Sequence, residues 1–134
     1  MEVPNNKMFE IGVDIENVER FTDKTLEKDE QFLKAIFTEA ELQYCFSNGK
    51  TAQHLCGKFC AKEAFIKAIS SSNLNFKLNE IEILNEINGK PYFNLPSKYH
   101  NIDCKLSISH TSKNAIAYVI VSNSYKNKGI YRND

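Results

Sequence analysis

The stretch Ala52-Gln-His-Leu-Cys-Gly-Lys-Phe-Cys-Ala-Lys-Glu-Ala-Phe-Ile-Lys-Ala-Ile-Ser70 decides the reading of this chain. Leu55, Phe59, Ile66 and Ile69 recur at helical spacing and predict one long, buried helix at the centre of the fold. Cys56, Cys60, Glu63 and Lys67 occupy the adjoining stripe, which places Glu63 and Lys67 one turn apart at the edge of the buried face.

Working back from it, Asn48-Gly49 ends a preceding helix whose start is marked by Thr38-Glu-Ala-Glu41, a capping box. Earlier still, Val18, Phe21 and Leu26 fall at helical intervals. Residues 9–16 instead alternate: Phe9, Ile11, Val13 and Ile15 against Glu10, Gly12, Asp14 and Glu16. That is a strand, expected to bury its apolar side and to leave Asp14 on an outward polar side.

Working forward, Ile81 and Ile83 between Glu80 and Glu82 predict a strand that pairs with Pro91-Tyr-Phe93 across an Asn88-Gly89 turn. Two more strands follow, 104–109 and 115–122, joined by the polar loop 110–114. The order predicts an α+β fold: one compact domain over 1–134, a long central helix on a small antiparallel sheet, and loose termini at 1–7 and about 123–134.

Of 134 residues, 42% are hydrophobic and 25% charged, ordinary for one domain with a modest core that self-association could extend. Seventeen basic and seventeen acidic residues give zero formal charge, so no global field draws nucleic acid or an anionic membrane. The longest apolar run, 115–121, is far short of a bilayer span, and no signal-like segment precedes the first strand. A cytoplasmic protein with reduced thiols is expected. Cys56 and Cys60, four apart with His54 nearby, invite a zinc site, but the spacing is not that of a CxxC knuckle and buried, inert thiols are the better reading.

Asp14, Glu63 and His110 are the candidates for chemistry. An aspartate and a glutamate from separate elements make a hard oxygen site of the kind Mg²⁺ uses while keeping positions for water and substrate phosphates. Lys58, Lys62 and Lys67 cluster beside the glutamate, as ammonium groups do around a diphosphate. Each residue also has an ordinary reading: Lys67 as the ion-pair partner of Glu63, Asp14 as a helix cap, His110 as a turn residue.

Taken together, IGVDIENVERF (11–21), GKFCAKEAFIKAI (57–69), NGKPYF (88–93) and LSISHT (106–111) closely resemble the motifs of holo-acyl-carrier-protein synthases, in that family's order and spacing. The likeness runs from Phe9 to about Ser122. It implies a phosphopantetheinyl-transferase-like fold assembled as a homotrimer, with coenzyme A in clefts between subunits. It implies transfer of 4′-phosphopantetheine from coenzyme A to a serine of apo-acyl carrier protein, yielding adenosine 3′,5′-bisphosphate, in fatty acid biosynthesis.

By the same resemblance, Asp14 and Glu63 match the carboxylates that hold Mg²⁺ (or Mn²⁺), and Lys67 matches the lysine near the diphosphate. Lys90, Pro91, Ser109 and His110 match residues beside coenzyme A. Arg20 matches a basic residue that faces the acidic carrier protein, and Lys24 and Lys28 extend the same helix face. Two rival readings differ in kind. A non-catalytic binding module would have no need for the Asp14, Glu63 and Lys67 set, and a nucleotide hydrolase would be expected to carry a GxxxxGK(S/T) loop, which is absent.

Overall fold

The structure is a computed structural model and describes residues 8–122; the expected loose segments 1–7 and 123–134 lie outside them. The elements are β1 (Phe9–Asn17), α1 (Glu30–Ile36), α2 (Glu39–Ser47), α3 (Thr51–Ala68), β2 (Glu82–Asn85), β3 (Pro91–Asn94), β4 (Cys104–His110) and β5 (Asn114–Ser122). The fold is α+β, but the strands form two antiparallel sheets where one was expected: a three-stranded β1-β5-β4 sheet and the β2-β3 hairpin.

The helix starts follow the local chemistry. The Thr38 hydroxyl accepts from the Glu41 amide at 3.2 Å while the Glu41 carboxylate accepts from the Thr38 amide at 2.8 Å, so the predicted capping box opens α2. Gly49 and Lys50 then take positive φ, 64° and 47°, to reverse the chain into α3. The hairpin turns at Gly89, φ 92°, where Asn88-Gly89 was expected to turn it.

α3 is enclosed nearly all round. Leu55, Cys56, Cys60, Ala61, Ala64 and Phe65 are fully buried, and so is Lys62. Its path over the large sheet is diagonal: the first turns lie over β4, where Gly57 meets Ile108, and the later turns over β1, where Gly12 meets Ala64 and Ala68.

That contact overturns the expected orientation of β1. Phe9, Ile11, Val13 and Ile15 are exposed, between 49% and 64%, whereas Gly12 is buried and Glu10, Asp14 and Glu16 are half-buried. A Cβ on Gly12 would stand 1.9 Å from the Ala64 carbonyl oxygen, so only the side carrying glycine admits the helix. The carboxylates therefore face α3, and the apolar side faces outward. It continues across β5, where Ile120, Tyr118 and Ile116 pair with Ile11, Val13 and Ile15.

The expected helix through Arg20, Lys24 and Lys28 is also corrected. Val18–Phe21 forms a single 3₁₀ turn capped by the Asn17 side chain. Residues 22–29 are turns, tied by Thr25 N to Asp29 Oδ2 at 3.0 Å and Lys28 N to Thr25 Oγ1 at 3.1 Å. These local bonds supply the backbone with partners that a helix would have provided.

Candidate active site

The inward side of β1 sets Asp14 against the later turns of α3. The Lys67 ammonium donates to Asp14 Oδ1 at 3.0 Å and to the Val13 carbonyl at 3.1 Å. Lys67 thus pairs with Asp14 rather than with Glu63 as the ordinary reading had it. Its proton affinity is raised, first by the hydrogen bond and charge of Asp14 and further by the charge of Glu63, so the ammonium senses both carboxylates. Cys60 donates its thiol to the Asp14 carbonyl at 2.9 Å, fixing strand to helix beneath the cluster.

Asp14 is 11% exposed at the side chain, and its Oδ2 is a buried oxygen with no hydrogen-bond partner. Glu16 lies two residues along the same side. Its carboxyl is pushed up to about 7, by burial first and then by the Asp14 carboxyl beside it, against the opposing pull of Arg20 at 3.2 Å. The buried, unpartnered Asp14 oxygen is a hard donor of the kind a divalent cation takes, and the half-buried Glu63 acts on the same Lys67 ammonium that Asp14 holds. Among the described residues no three His, Cys, Asp or Glu side chains converge as a complete ligand set, so substrate oxygens and water would fill the remaining positions.

Two of the lysines grouped with Lys67 do other work. Lys62 is fully buried in an ion pair with Glu41 at 2.7 Å and also donates to the Leu78 carbonyl at 2.9 Å. Lys58 turns toward the hairpin, bonding the Ile83 carbonyl and Asn85 Oδ1, both at 2.6 Å. Helical rotation separates them from Lys67.

His110 belongs to a second place. It lines a cleft of about 140 Å³ at the β4 edge, with His54 and Lys58 of α3, Tyr44 of α2, and Asn85 and Pro91 of the hairpin. Lys90 and Ser109 are exposed beside it without lining it; Ser109 pairs with Ile116 on the outward side of the sheet. From His54 to Lys67 the axis of α3 runs about 20 Å, so cleft and carboxylates sit toward opposite ends of the helix and opposite edges of the sheet.

The profile of the 4′-phosphopantetheinyl transferase superfamily matches residues 10–120. The holo-[acyl-carrier-protein] synthase of Clostridium tetani is 36% identical over 118 residues, covering 83% of this chain and 93% of that protein. The chain belongs to the holo-[acyl-carrier-protein] synthase family. The synthase of Thermodesulfovibrio yellowstonii is 39% identical over 113 residues, covering 84% and 96%. Among solved structures, the Bacillus anthracis synthase in complex with CoA (3′,5′-ADP) superposes at a TM-score of 0.71 with 27% identity, over 89% of this chain and all of that one. The Helicobacter pylori synthase in complex with coenzyme A gives 0.70 at 28% identity, over 84% and 99%.

Within this family frame, Glu16 and His54 are the residues the sequence under-read. Glu16 stood in the carboxylate run without a role, although its spacing of two from Asp14 guaranteed a shared side. In the sequence His54 offers only a zinc-ligand reading, because nothing local ties it to His110.

Proposed function

We propose that this chain transfers 4′-phosphopantetheine from coenzyme A to a serine hydroxyl of apo-acyl carrier protein, releasing adenosine 3′,5′-bisphosphate and serving fatty acid biosynthesis. The observation that carries the proposal is the buried, unpartnered Asp14 Oδ2 beside Lys67, with Glu63 in range of the same ammonium. The names of the relatives and the coenzyme A complexes of the structural neighbours support the substrate pair.

Asp14 and Glu63 would hold Mg²⁺, or Mn²⁺, which when bound supplies charge neutralisation to the diphosphate. Lys67, oriented by Asp14, shares the charge of the departing phosphate. Glu63 takes the serine proton as the serine oxygen bonds to phosphorus and the bond to the nucleotide phosphate breaks. The cleft with His110, Pro91 and the neighbouring Lys90 receives the nucleotide part of coenzyme A. Arg20, Lys24 and Lys28 offer cations to the acidic carrier protein. Arg20 also covers the Phe59 ring at 4.7 Å, and Lys24 the Phe32 ring at 5.0 Å.

A homotrimer follows from the same reading. Each protomer carries one half of the site at its β1 edge and the other at its β4 edge, and an exposed apolar side lies between them. A head-to-tail ring covers that side and joins unlike halves. Among the described residues no helix is long and apolar enough to cross a membrane, and the free cysteines suit a reducing cytoplasm.

The deciding experiment is mass spectrometry of an apo carrier protein incubated with the chain, coenzyme A and Mg²⁺. The added phosphopantetheine mass is expected, with Glu63→Gln slower by orders of magnitude at an unchanged melting curve. Absence of the added mass refutes the function, and near-parental turnover of the variant refutes the role of Glu63.

A further inference from the structure

The cleft at the β4 edge gathers three basic groups, His54, Lys58 and His110, and none of its lining residues is an aspartate or glutamate. Lys58 is 4% exposed, bonds only neutral oxygens at its ammonium, and forms no salt bridge among the described residues. Burial lowers the proton affinity of Lys58 although Glu41 and Glu82 act on it through space and its ammonium lies over the Tyr44 ring at 4.8 Å, so an anion entering the cleft offsets a real desolvation cost.

His54 is the group in this cleft best placed to respond. It sits half-buried in the first turns of α3, its ring edge-on to Tyr44 at 5.3 Å. The basic groups that face it are His110 from β4, Lys58 one turn along α3, and Lys50 from the turn before the helix. Burial first, then these basic neighbours, lower its proton affinity below the ordinary histidine range, and only the Asn48 backbone works the other way, which favours the neutral imidazole.

We propose that His54 is a proton-linked binding residue for the donor: it takes a proton from solvent when a phosphate monoester enters the cleft and returns it when the bisphosphate product leaves. The inference rests on the transferase reading. A phosphate monoester brings close to two negative charges and three strong acceptors, which outweigh the repulsion of Lys50, Lys58 and His110 and turn the imidazole into a second donor. Binding then becomes tighter as pH falls toward the ordinary histidine range.

The test is titration calorimetry of adenosine 3′,5′-bisphosphate binding at pH 7.5, in buffers of different ionisation heat, with intact protein and with His54→Gln and His110→Gln. A melting curve for each variant establishes that it is folded. The parent is expected to take up a fraction of a proton approaching one. His54→Gln is expected to lose at least half of that uptake and, at pH 6.5, about tenfold in affinity. The KM for coenzyme A should fall with acidity in the parent and be flat in His54→Gln. Binding without proton uptake, or uptake lost only in His110→Gln, overturns this inference and leaves the transferase reading standing. Failure of the parent to bind either the bisphosphate or coenzyme A sinks both.

Discussion

Replacing Gly12 with alanine is the sharpest test of how the site is held. The added methyl would lie 1.9 Å from the Ala64 carbonyl oxygen and 2.8 Å from the Ala68 nitrogen, both backbone atoms of α3. A carbon–oxygen contact settles at about 3.3 Å or more, so helix and strand must part by roughly 1.4 Å. No flexible side chain can yield in their place. Overpacking of a core ordinarily costs about 1–3 kcal/mol, and a clash with backbone belongs at the upper end. Losing the glycine's unfolded-state freedom returns about 0.5–1 kcal/mol, which leaves a net destabilisation of about 2 kcal/mol. For a chain of this size the melting temperature should drop by about 7 °C at matched protein concentration. Turnover should fall with it, because Asp14 lies two residues along and its 3.0 Å bond to Lys67 spans the same gap. A variant that melts within about 2 °C of the parent would show that α3 does not rest on this strand as described.

Lys62→Met strands the fully buried Glu41 carboxylate and should cost about 3–5 kcal/mol in urea unfolding. Adding Glu41→Gln, which removes the stranded charge and keeps one of the two acceptors used by the Thr38 and Ile83 amides, should restore about 1 kcal/mol; a double variant no better than the single refutes the stranded-charge account. Thr38→Ala removes the hydroxyl that caps α2 and should cost about 1 kcal/mol, checked by the urea midpoint. Ile15→Glu, on the outward side of β1, should leave protomer stability within about 0.5 kcal/mol yet lower the mass seen by light scattering, and an unchanged mass excludes that side from the assembly.

Much of this architecture could be read along the chain. The period of 3.6 located α3, the Thr38 to Glu41 box opened α2, and Asn88-Gly89 placed the hairpin, because each signal is local. The facing of β1 was not legible. Alternation says which residues share a side but not which side meets the core, and the apolar side was the natural choice for an isolated protomer. Gly12 was the available clue, since a strand glycine marks close approach of another backbone. Lys58 and Lys62 were misplaced for a related reason. Their partners, Ile83, Asn85, Glu41 and Leu78, come from segments 16 to 27 residues away, beyond the reach of helical spacing. His54 and His110, 56 positions apart in the chain, meet only through the crossing of α3 over β4.

The four cysteines hold a practical opening. Cys45, Cys56 and Cys60 are sealed in the core and Cys104 is half-buried, and burial drives every one of these thiols well above its ordinary acidity range, Cys56 to about 11 and Cys45 and Cys104 to about 12. Alkylating reagents consume thiolate, so at neutral pH the natural chain is nearly silent to them. Ile87, by contrast, stands wholly in solvent at the tip of a hairpin whose turn is braced by Glu86 to Lys90 and Gly89 to Glu86 bonds of 2.8 Å each. A fluorophore coupled to Ile87→Cys would attach there alone, and would watch the cleft at the β4 edge from its rim with no background to subtract.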